Sequence, residues 1–260
     1  MRLNRLFLTF LAVFFFVINL KAQVIIDTES SLKKIDSTFH VFASFMSDKK
    51  EGNIKFGLTR GDITLGSLKN KHLLRLTYSH SSSRFNGNLF DKSNHVQFRW
   101  NYMINEKNSF FLFAQTGNNL RSFIDERTLL GVGLRKHLYQ KDKNYFDIAI
   151  GPFLENEFYS PYTFQDIQYV ASNNRFVRFS LNLFGSIKIM KNISALTTLY
   201  TQWKHNELRN HRIFGNQYLR FRVNKKISTY IRYMIHYRSI KYVEPLQNDT
   251  DFLYGLDINI

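Results

Sequence analysis

The sequence predicts an all-β protein, a transmembrane up-and-down antiparallel β-barrel of about twelve strands and of the outer-membrane type. Three observations predict it. Apolar and polar residues alternate with a period of two over most of the chain, the alternating segments are long, and a segment typical of an export signal precedes them.

The first residues have the features of a signal peptide. Arg2 and Arg5 form a basic start, and the apolar run Leu6–Leu20 follows directly. Its length of about fifteen residues is short of the roughly twenty that a membrane-spanning helix needs, which disfavours the alternative, an N-terminal anchor. We therefore predict a signal peptide over residues 1–22, cleaved before Gln23.

The predicted mature chain has two parts, a short periplasmic segment over residues 23–36 and a barrel over residues 37–260. The sequence has no Cys, which excludes lipid attachment at Cys and disulfide bonds. It has 26 Phe, 14 Tyr and only 3 Pro, a composition typical of strands. Its net charge of +16 would suit a nucleic-acid partner. Export and the even spread of Lys and Arg argue against that partner.

The stretch HVQFRWNYMI (95–104) shows the period of two most clearly. Val96, Phe98 and Trp100 alternate with polar residues, as expected for a strand with one apolar and one polar face. A soluble β-sandwich would alternate as well. The predicted strands are mostly longer than the five or six residues that are usual in soluble sheets, and this favours a barrel. We place them at residues 37–47, 53–66, 71–82, 93–104, 108–118, 126–139, 144–158, 174–189, 192–206, 211–223, 226–239 and 250–260.

The connections between these strands alternate in length, which is typical of an outer-membrane barrel with both termini on the side of the short turns. Short connections are predicted at 67–70, 105–107, 140–143, 190–191 and 224–225. Longer ones are predicted on the opposite side, at 83–92, 159–173 and 240–249. The connections at 48–52 and 207–210 are short although they fall on the long side.

The second strand breaks the alternation. Ile54, Phe56 and Leu58 share a parity that Ile63 and Leu65 do not. A β-bulge at Arg60–Gly61 would explain the change. A tight turn there would instead change the number of strands.

The last strand ends in register with its alternation, at DFLYGLDINI. A closed barrel requires this, because its last strand must pair with its first and unpaired backbone groups are costly in hydrocarbon. The stretch Gly255–Ile260 also resembles the C-terminal signal recognised by the barrel-assembly machinery, although Ile260 replaces the usual aromatic residue. Aromatic residues on the apolar faces are expected to form interfacial belts. They are Tyr78, Trp100, Tyr102, Tyr233 and Tyr237.

If the apolar stripes face lipid, the opposite stripes face the lumen. The charged residues predicted there are Arg75, Arg99, Arg135, Asp147, Glu155, Glu157, Arg178, Arg220, Arg222, Arg232 and Arg238. Arg178 is expected to pair with Glu155 or Glu157 on a neighbouring strand. Gly131, Gly133 and Gly151 share the inward parity and would leave space for long Arg side chains. This polar filling either stabilises the barrel or lines a narrow, anion-favouring passage.

An enzymatic alternative rests on His80 and Ser82 in YSHSSSRFNG. Their His-x-Ser spacing on a lipid-facing stripe resembles that of lipid A deacylases and outer-membrane phospholipase A, in which the His activates the Ser for acyl transfer. Ser83 and Arg84 replace the Asn-Gly of the phospholipase pattern, and no third group that orients His80 is evident. No histidine pair has the spacing of a zinc site, so we predict no metal and no cofactor.

The segment Lys107–Tyr159 resembles the YdiY-like proteins, known as salt-induced outer-membrane proteins or as a domain of unknown function. The residues that carry the resemblance are a strand ending in FAQ, an Arg leading into GVGLR, and the strand GPFLENE. The resemblance implies a barrel in the outer membrane of a Gram-negative bacterium, in contact with lipid and lipopolysaccharide. It brings no catalytic residues. We therefore predict a non-enzymatic envelope protein, with a role as a narrow pore or under osmotic stress.

Overall fold

The structure, a computed structural model, describes residues 39–53, 55–141, 144–164, 167–239 and 248–259. Twelve strands in this part of the chain form one closed antiparallel barrel. The predicted fold class and strand number are therefore confirmed. The predicted signal peptide, the segment 23–36 and Ile260 lie outside the described residues.

Fourteen strands are numbered in chain order, and β8 and β9 form a separate hairpin in the connection between β7 and β10. The barrel strands are β1 His40–Lys50, β2 Phe56–Lys69, β3 His72–Phe85, β4 Asn88–Met103, β5 Asn108–Asn119, β6 Ile124–Lys141, β7 Asn144–Tyr159, β10 Ser172–Met190, β11 Ile193–Lys204, β12 Glu207–Arg222, β13 Ile227–Arg238 and β14 Asn248–Asn259. The hairpin strands are β8 Tyr162–Phe164 and β9 Ile167–Tyr169.

Each barrel strand pairs with the barrel strands before and after it in the chain, which is the predicted up-and-down order. The barrel closes where β14 pairs with β1, with Phe42 opposite Asn259 and Phe45 opposite Leu256. This pairing confirms the closure inferred from the alternating C-terminal stretch. We call the end of the barrel where β1 begins and β14 ends the terminal end, and the opposite end, which carries β8 and β9, the loop end.

The outer face of the barrel is apolar because the strands keep their alternation in register. Leu134, Ile150 and Leu154 on β6 and β7 each expose more than half of their side-chain surface, while Arg135 and Glu155 beside them are buried. Such an exposed apolar band suits a hydrocarbon surrounding. None of the described residues belongs to a helix that is long and apolar enough to cross a bilayer.

The aromatic residues predicted for interfacial belts share the parity of the outer face. Near the terminal end, the Trp100 indole stacks on the His72 ring at an interplanar angle of 8° and donates a hydrogen bond of 3.1 Å to its Nδ1. Tyr102 packs against the same two rings. These contacts join β3 to β4 on the outside of the barrel.

The predicted irregularity in β2 is wrong. The pairing of β2 with β3 runs without a shift from Phe56–Phe85 to Lys69–His72, so neither a bulge nor a turn occurs at Arg60–Gly61. The apolar residues change parity because Leu58 packs inward against the buried core, whereas Ile63 and Leu65 face outward. The polarity of the inward side chains changes along β2, while the backbone pairing stays regular.

The predicted long connection at 83–92 is also wrong. β3 and β4 continue to a two-residue turn at Asn86–Gly87, where φ is 50° and 86°. Positive φ at both central residues is the feature of a type I′ turn, which Asn-Gly favours and which fits the twist of a hairpin. At this position the loop end therefore has a tight turn where the sequence predicted a long connection; most of the connection predicted at 240–249 lies outside the described residues.

Candidate functional site

The interior of the barrel holds more positive than negative charge. Among the described residues, nine arginines and four carboxylates are buried. The arginines are Arg75, Arg99, Arg127, Arg135, Arg178, Arg212, Arg220, Arg232 and Arg238. The carboxylates are Asp147, Glu155, Glu157 and Asp257. The surplus is five positive charges, nine minus four.

The structure buries ten of the eleven side chains that the sequence assigned to the lumen. The exception is Arg222, the last residue of β12, which is exposed. Its Nη2 donates a hydrogen bond of 2.5 Å to the carbonyl oxygen of Lys191. Arg222 therefore binds the neighbouring turn at the terminal end.

Glu155 on β7 is the centre of a charged cluster near the loop end, which we call the Arg–Glu cluster. Its carboxylate binds three guanidinium groups, at 2.5 Å from Arg127 Nη2, 2.6 Å from Arg178 Nε and 2.6 Å from Arg212 Nη1. The pair between Arg178 and Glu155 was predicted from the sequence and is confirmed. Arg178 Nη1 also donates to Asn210 Oδ1 at 3.1 Å, so a neutral side chain helps to hold the Arg178 guanidinium group.

Glu157 is a second carboxylate of the Arg–Glu cluster. Arg212 Nη2 lies 3.1 Å from its carboxylate and Arg127 Nε lies 3.2 Å away. The Tyr159 hydroxyl donates to Glu157 Oε2 at 2.9 Å, and Arg238 Nη1 donates to the Tyr159 oxygen at 3.3 Å. The cluster thus joins β6 and β7 to β12 and β13 across the lumen.

Arg127 and Arg212 were missed in the sequence because each lies near the start of its strand, before the alternation is obvious. The parity of the strand could have found both. Arg127 shares the inward parity of Arg135, and Arg212 shares that of Arg220. Asp257, also missed, has the inward parity of the last strand.

Two further ion pairs lie toward the terminal end. Arg135 Nη2 binds Asp147 at 2.5 Å, and His137 Nδ1 lies 2.8 Å from the other oxygen of the same carboxylate. On the other side of the lumen, Arg220 Nε binds Asp257 at 2.8 Å. The Tyr218 hydroxyl donates to this carboxylate at 2.6 Å.

Three other buried arginines contact neutral groups. Arg75 Nη2 donates to Asn101 Oδ1 at 3.2 Å, and Arg232 Nε donates to Asn216 Oδ1 at 3.0 Å. The Arg99 guanidinium lies 4.3 Å from the centre of the Phe111 ring, a cation–π distance. Amide oxygens and a ring face therefore help to orient these three cations.

The middle of the interior is apolar, which the sequence analysis did not predict. We call the buried residues there the apolar layer: Met46, Phe111, Tyr145, Ala149, Phe184, Tyr200, Phe214, Met234 and Leu253. The rings of Phe184 and Tyr200 lie 5.5 Å apart, and those of Tyr200 and Phe214 lie 5.8 Å apart. Along β12, Phe214 lies between Arg212 of the Arg–Glu cluster and Arg220 of the terminal-end pair. The apolar layer therefore separates two charged regions.

Gly131 and Gly133 leave space for aromatic rings, whereas the sequence predicted that the inward glycines leave space for arginines. A Cβ atom on Gly131 would clash with the Phe113 ring, and one on Gly133 would clash with the Phe111 ring. A cavity of about 40 Å³ remains nearby. It is lined by Gln97, Arg99, Phe111, Phe113, Gln115, Arg127, Leu129, Phe153, Ser180, Asn182, Tyr200 and Gln202.

The two residues of the enzymatic alternative lie on the outer face of β3. His80 and Ser82 are half-buried and have the outward parity of Leu76 and Tyr78. His80 Nδ1 lies 2.8 Å from Asn94 Oδ1 on β4, a partner that the sequence did not reveal. Among the described residues, no group of three or more His, Asp or Glu side chains is placed to hold a metal ion.

Comparison with known sequences decides the family. The profile of the family described as "Protein of unknown function, DUF481" matches residues 53–259. The chain belongs to this family. DUF481 is the family of YdiY-like outer-membrane proteins, so the resemblance seen in the sequence is confirmed. No curated protein sequence matches the chain.

Solved structures similar to this DUF481 protein are bacterial barrels. The translocator domain of the autotransporter NalP from Neisseria meningitidis is 9% identical, with a TM-score of 0.49 over 88% of this chain and 91% of that one. The porin NanC is 12% identical, with a TM-score of 0.48 over 84% and 98%. An outer membrane channel from Pseudomonas putida F1 is 11% identical, with a TM-score of 0.48 over 91% and 98%.

Proposed function

We propose that this DUF481 protein is a narrow, anion-selective channel of the outer membrane of a Gram-negative bacterium. The observation that carries the proposal is the surplus of five buried arginines over buried carboxylates. A barrel that used buried charge only for stability would be expected to balance each cation, because an uncompensated buried charge is costly. Mobile anions in the lumen would compensate the surplus, and rings of basic side chains attract anions.

The distribution of the charge supports a path for ions. Positive side chains lie on both sides of the apolar layer, with the Arg–Glu cluster toward the loop end and Arg75 and Arg220 toward the terminal end. A hydrophobic constriction between two charged vestibules closes a channel by excluding water. We therefore assign the structure to the closed state of the channel, in which Phe184, Phe214 and Met234 form the constriction.

The size of the interior favours small inorganic anions. The cavity of about 40 Å³ beside Arg99 and Arg127 has room for one or a few water-sized species. Its lining includes the amide groups of Gln97, Asn182 and Gln202, which can turn either a donor or an acceptor toward a passing ion. Oligosaccharides and other bulky solutes would need a displacement of the aromatic side chains.

Export through residues 1–22 and assembly through Gly255–Ile260 belong to the same proposal. Contact with lipid and lipopolysaccharide follows from the exposed apolar outer face. A role under osmotic stress, implied by the family resemblance, stays a prediction.

The reversal potential of the folded protein in planar bilayers tests the proposal. Under a gradient of KCl, the potential should have the sign of chloride selectivity. Arg232→Gln should reduce the selectivity, because it removes one buried positive charge of the lumen and keeps a side chain that can donate to Asn216 Oδ1. Lys136→Gln, on the outer face of β6, is the matched control and should keep the selectivity of the original protein.

Two results would contradict the channel. A protein that is shown to be folded and inserted but passes no ions would be a structural barrel. A reversal potential with the sign of cation selectivity would show that the buried arginines do not determine the electrostatic potential that passing ions meet in the lumen.

A further inference from the structure

We propose a second site on the outer face of the barrel, where Ser82, His80 and Asn94 form a catalytic triad for hydrolysis of acyl esters in membrane lipids. The juxtaposition that carries it is the hydrogen bond of 2.8 Å between His80 Nδ1 and Asn94 Oδ1, with Ser82 two residues beyond His80 on the same face of β3. This site lies outside the lumen and is independent of the channel.

The orientation of the Asn94 amide group is determined by its neighbour on β5. Asn118 Oδ1 lies 3.1 Å from the Asn94 backbone nitrogen and 3.1 Å from Asn94 Nδ2, and it can only accept these hydrogen bonds. Asn94 Nδ2 therefore points to Asn118, and Asn94 Oδ1 points to His80. Tyr78 also donates to Asn94 Oδ1, at 3.3 Å.

The orientation of Asn94 fixes the tautomer of His80. Because Asn94 Oδ1 is an acceptor, His80 Nδ1 carries the proton in this hydrogen bond. His80 Nε2 is then left with a lone pair, which is the form that a general base needs. A third group that holds the His ring and its tautomer is what a serine hydrolase requires and what the sequence alone did not reveal.

Ser82 is placed to be the nucleophile. Residues rise about 3.3 Å along a strand, so His80 and Ser82 are about 6.6 Å apart on one face of β3. The proposal requires Ser82 Oγ to come within hydrogen-bonding distance of His80 Nε2 when the ester binds. Ser82 is paired with Thr59 on β2 and Lys92 on β4, both exposed on the outer face. Lys92, the exposed residue paired with Ser82 on β4, is the cation that we assign to the negative charge developing on the ester carbonyl oxygen.

The level of the site along the barrel suits a lipid ester. On β3 the outward residues are Leu74, Leu76 and Tyr78, and His80 is the first position after this apolar stripe. On β4 the outward Val96 is followed, toward the loop end, by Asn94. Ester bonds of lipids lie at this border between hydrocarbon and polar headgroups.

Space for an acyl chain lies on the β2 side of His80. The residue paired with His80 there is Gly61, and the nearest atom to a Cβ built on it is a backbone oxygen 3.8 Å away. The outer face beside the imidazole is therefore open. Phe90, 58% exposed, shares the outward parity of Lys92 and provides an apolar contact beyond the polar group.

The reaction follows from these positions. Ser82 Oγ attacks the ester carbonyl carbon while His80 Nε2 accepts the hydroxyl proton. The ester C–O bond then breaks, and the same proton passes to the oxygen of the leaving alcohol, so a lysolipid departs and the acyl group remains on Ser82. Water, deprotonated by His80, attacks this acyl-serine and releases a fatty acid with Ser82 restored.

Labelling with a fluorophosphonate probe tests the nucleophile directly. The full folded protein in detergent micelles should be labelled at Ser82, as located by mass spectrometry of its peptides. Ser82→Ala should abolish the label. Ser81→Ala is the matched control and should leave it unchanged, because Ser81 has the inward parity and is paired with the buried Ser93.

Hydrolysis assays identify the lipid. The folded protein is mixed with micelles of diacyl phosphatidylethanolamine, or separately with lipid A, and the fatty acid released is measured. Release from either lipid, abolished in Ser82→Ala, supports the site and names its substrate. Asn94→Leu should lower kcat by about 100-fold with little change in KM, whereas Asn94→Asp, which keeps an acceptor for His80, should retain most of the activity.

The proposal is overturned by folded protein that releases no fatty acid from either lipid. Release that persists in Ser82→Ala, or equal labelling of Ser81 and Ser82, would also overturn it. None of these outcomes bears on ion selectivity in the lumen, so the two proposals fail separately.

Discussion

At the scale of the residue, Glu155 shows how the interior holds a buried charge. One fully enclosed carboxylate is within hydrogen-bonding distance of three guanidinium groups from three different strands. Desolvation of buried ion partners offsets much of their electrostatic attraction. The well-aligned hydrogen bonds between the carboxylate and the guanidinium groups are therefore needed to hold them together. Removal of the carboxylate would leave Arg127, Arg178 and Arg212 close together in a region with little solvent.

Glu155→Gln should therefore destabilise the barrel strongly, by about 3–5 kcal/mol, the usual cost of breaking a buried ion pair on one side. The free energy of unfolding in urea, measured with protein refolded into lipid vesicles, checks this. Glu126→Gln is the control, because Glu126 is exposed on β6 and its carboxylate accepts a hydrogen bond from the neutral Thr128 hydroxyl. Equal stability of the two variants would show that the Arg–Glu cluster does not support the fold.

The pairs that sequence could predict are those between adjacent strands. Arg178 and Glu155 lie on β10 and β7, which are hydrogen-bonded neighbours, so parity and proximity were enough. Arg212 reaches Glu155 from β12, across the lumen. Parity identifies an inward side chain but does not say which inward side chain it meets.

At the scale of the element, strands β5, β6 and β7 form a part of the wall where backbone and aromatic rings pack closely. Phe111 and Phe113 of β5 lie over the inward glycines of β6. At Gly151 on β7, a Cβ atom would clash with the Val132 carbonyl oxygen and lie 2.6 Å from the Gly133 Cα atom. The obstacle there is backbone, which cannot move aside as a flexible side chain can.

Gly151→Ala should consequently prevent close pairing of β6 and β7 and reduce the yield of folded barrel. Gly57→Ala on β2 is the matched control, because a Cβ atom there would meet nothing within 4 Å. Refolding into detergent, followed by circular dichroism and protease resistance, measures the difference. Normal refolding of Gly151→Ala would show that the wall relaxes more than the geometry of β6 and β7 implies.

The twelve strands could be predicted from sequence because most of them alternate long enough to show their period. The failures at β2 and at the β3–β4 hairpin share one cause. Near the loop end, apolar residues such as Leu58 face inward and polar residues such as Ser82 and Asn94 face outward, so the usual link between polarity and face is reversed. The same reversal produces the outer site that the sequence showed only in part.

At the scale of the whole molecule, the interior is arranged in regions, with charge near both ends and the apolar layer between them. This arrangement could not be predicted from parity, because the stagger of the strands decides which inward residues reach the same level of the barrel. The positive surplus and the apolar layer together make the central claim, a closed anion channel.

The conductance and reversal potential of Phe214→Ala in planar bilayers test this claim most directly. Phe214 is fully buried in the apolar layer, so its truncation should open the constriction and raise the conductance several-fold, with chloride still preferred over potassium. Phe179→Ala, on the outer face of β10 and 42% exposed, should leave the conductance unchanged. A folded Phe214→Ala barrel that stays silent, or that prefers potassium, would contradict the account.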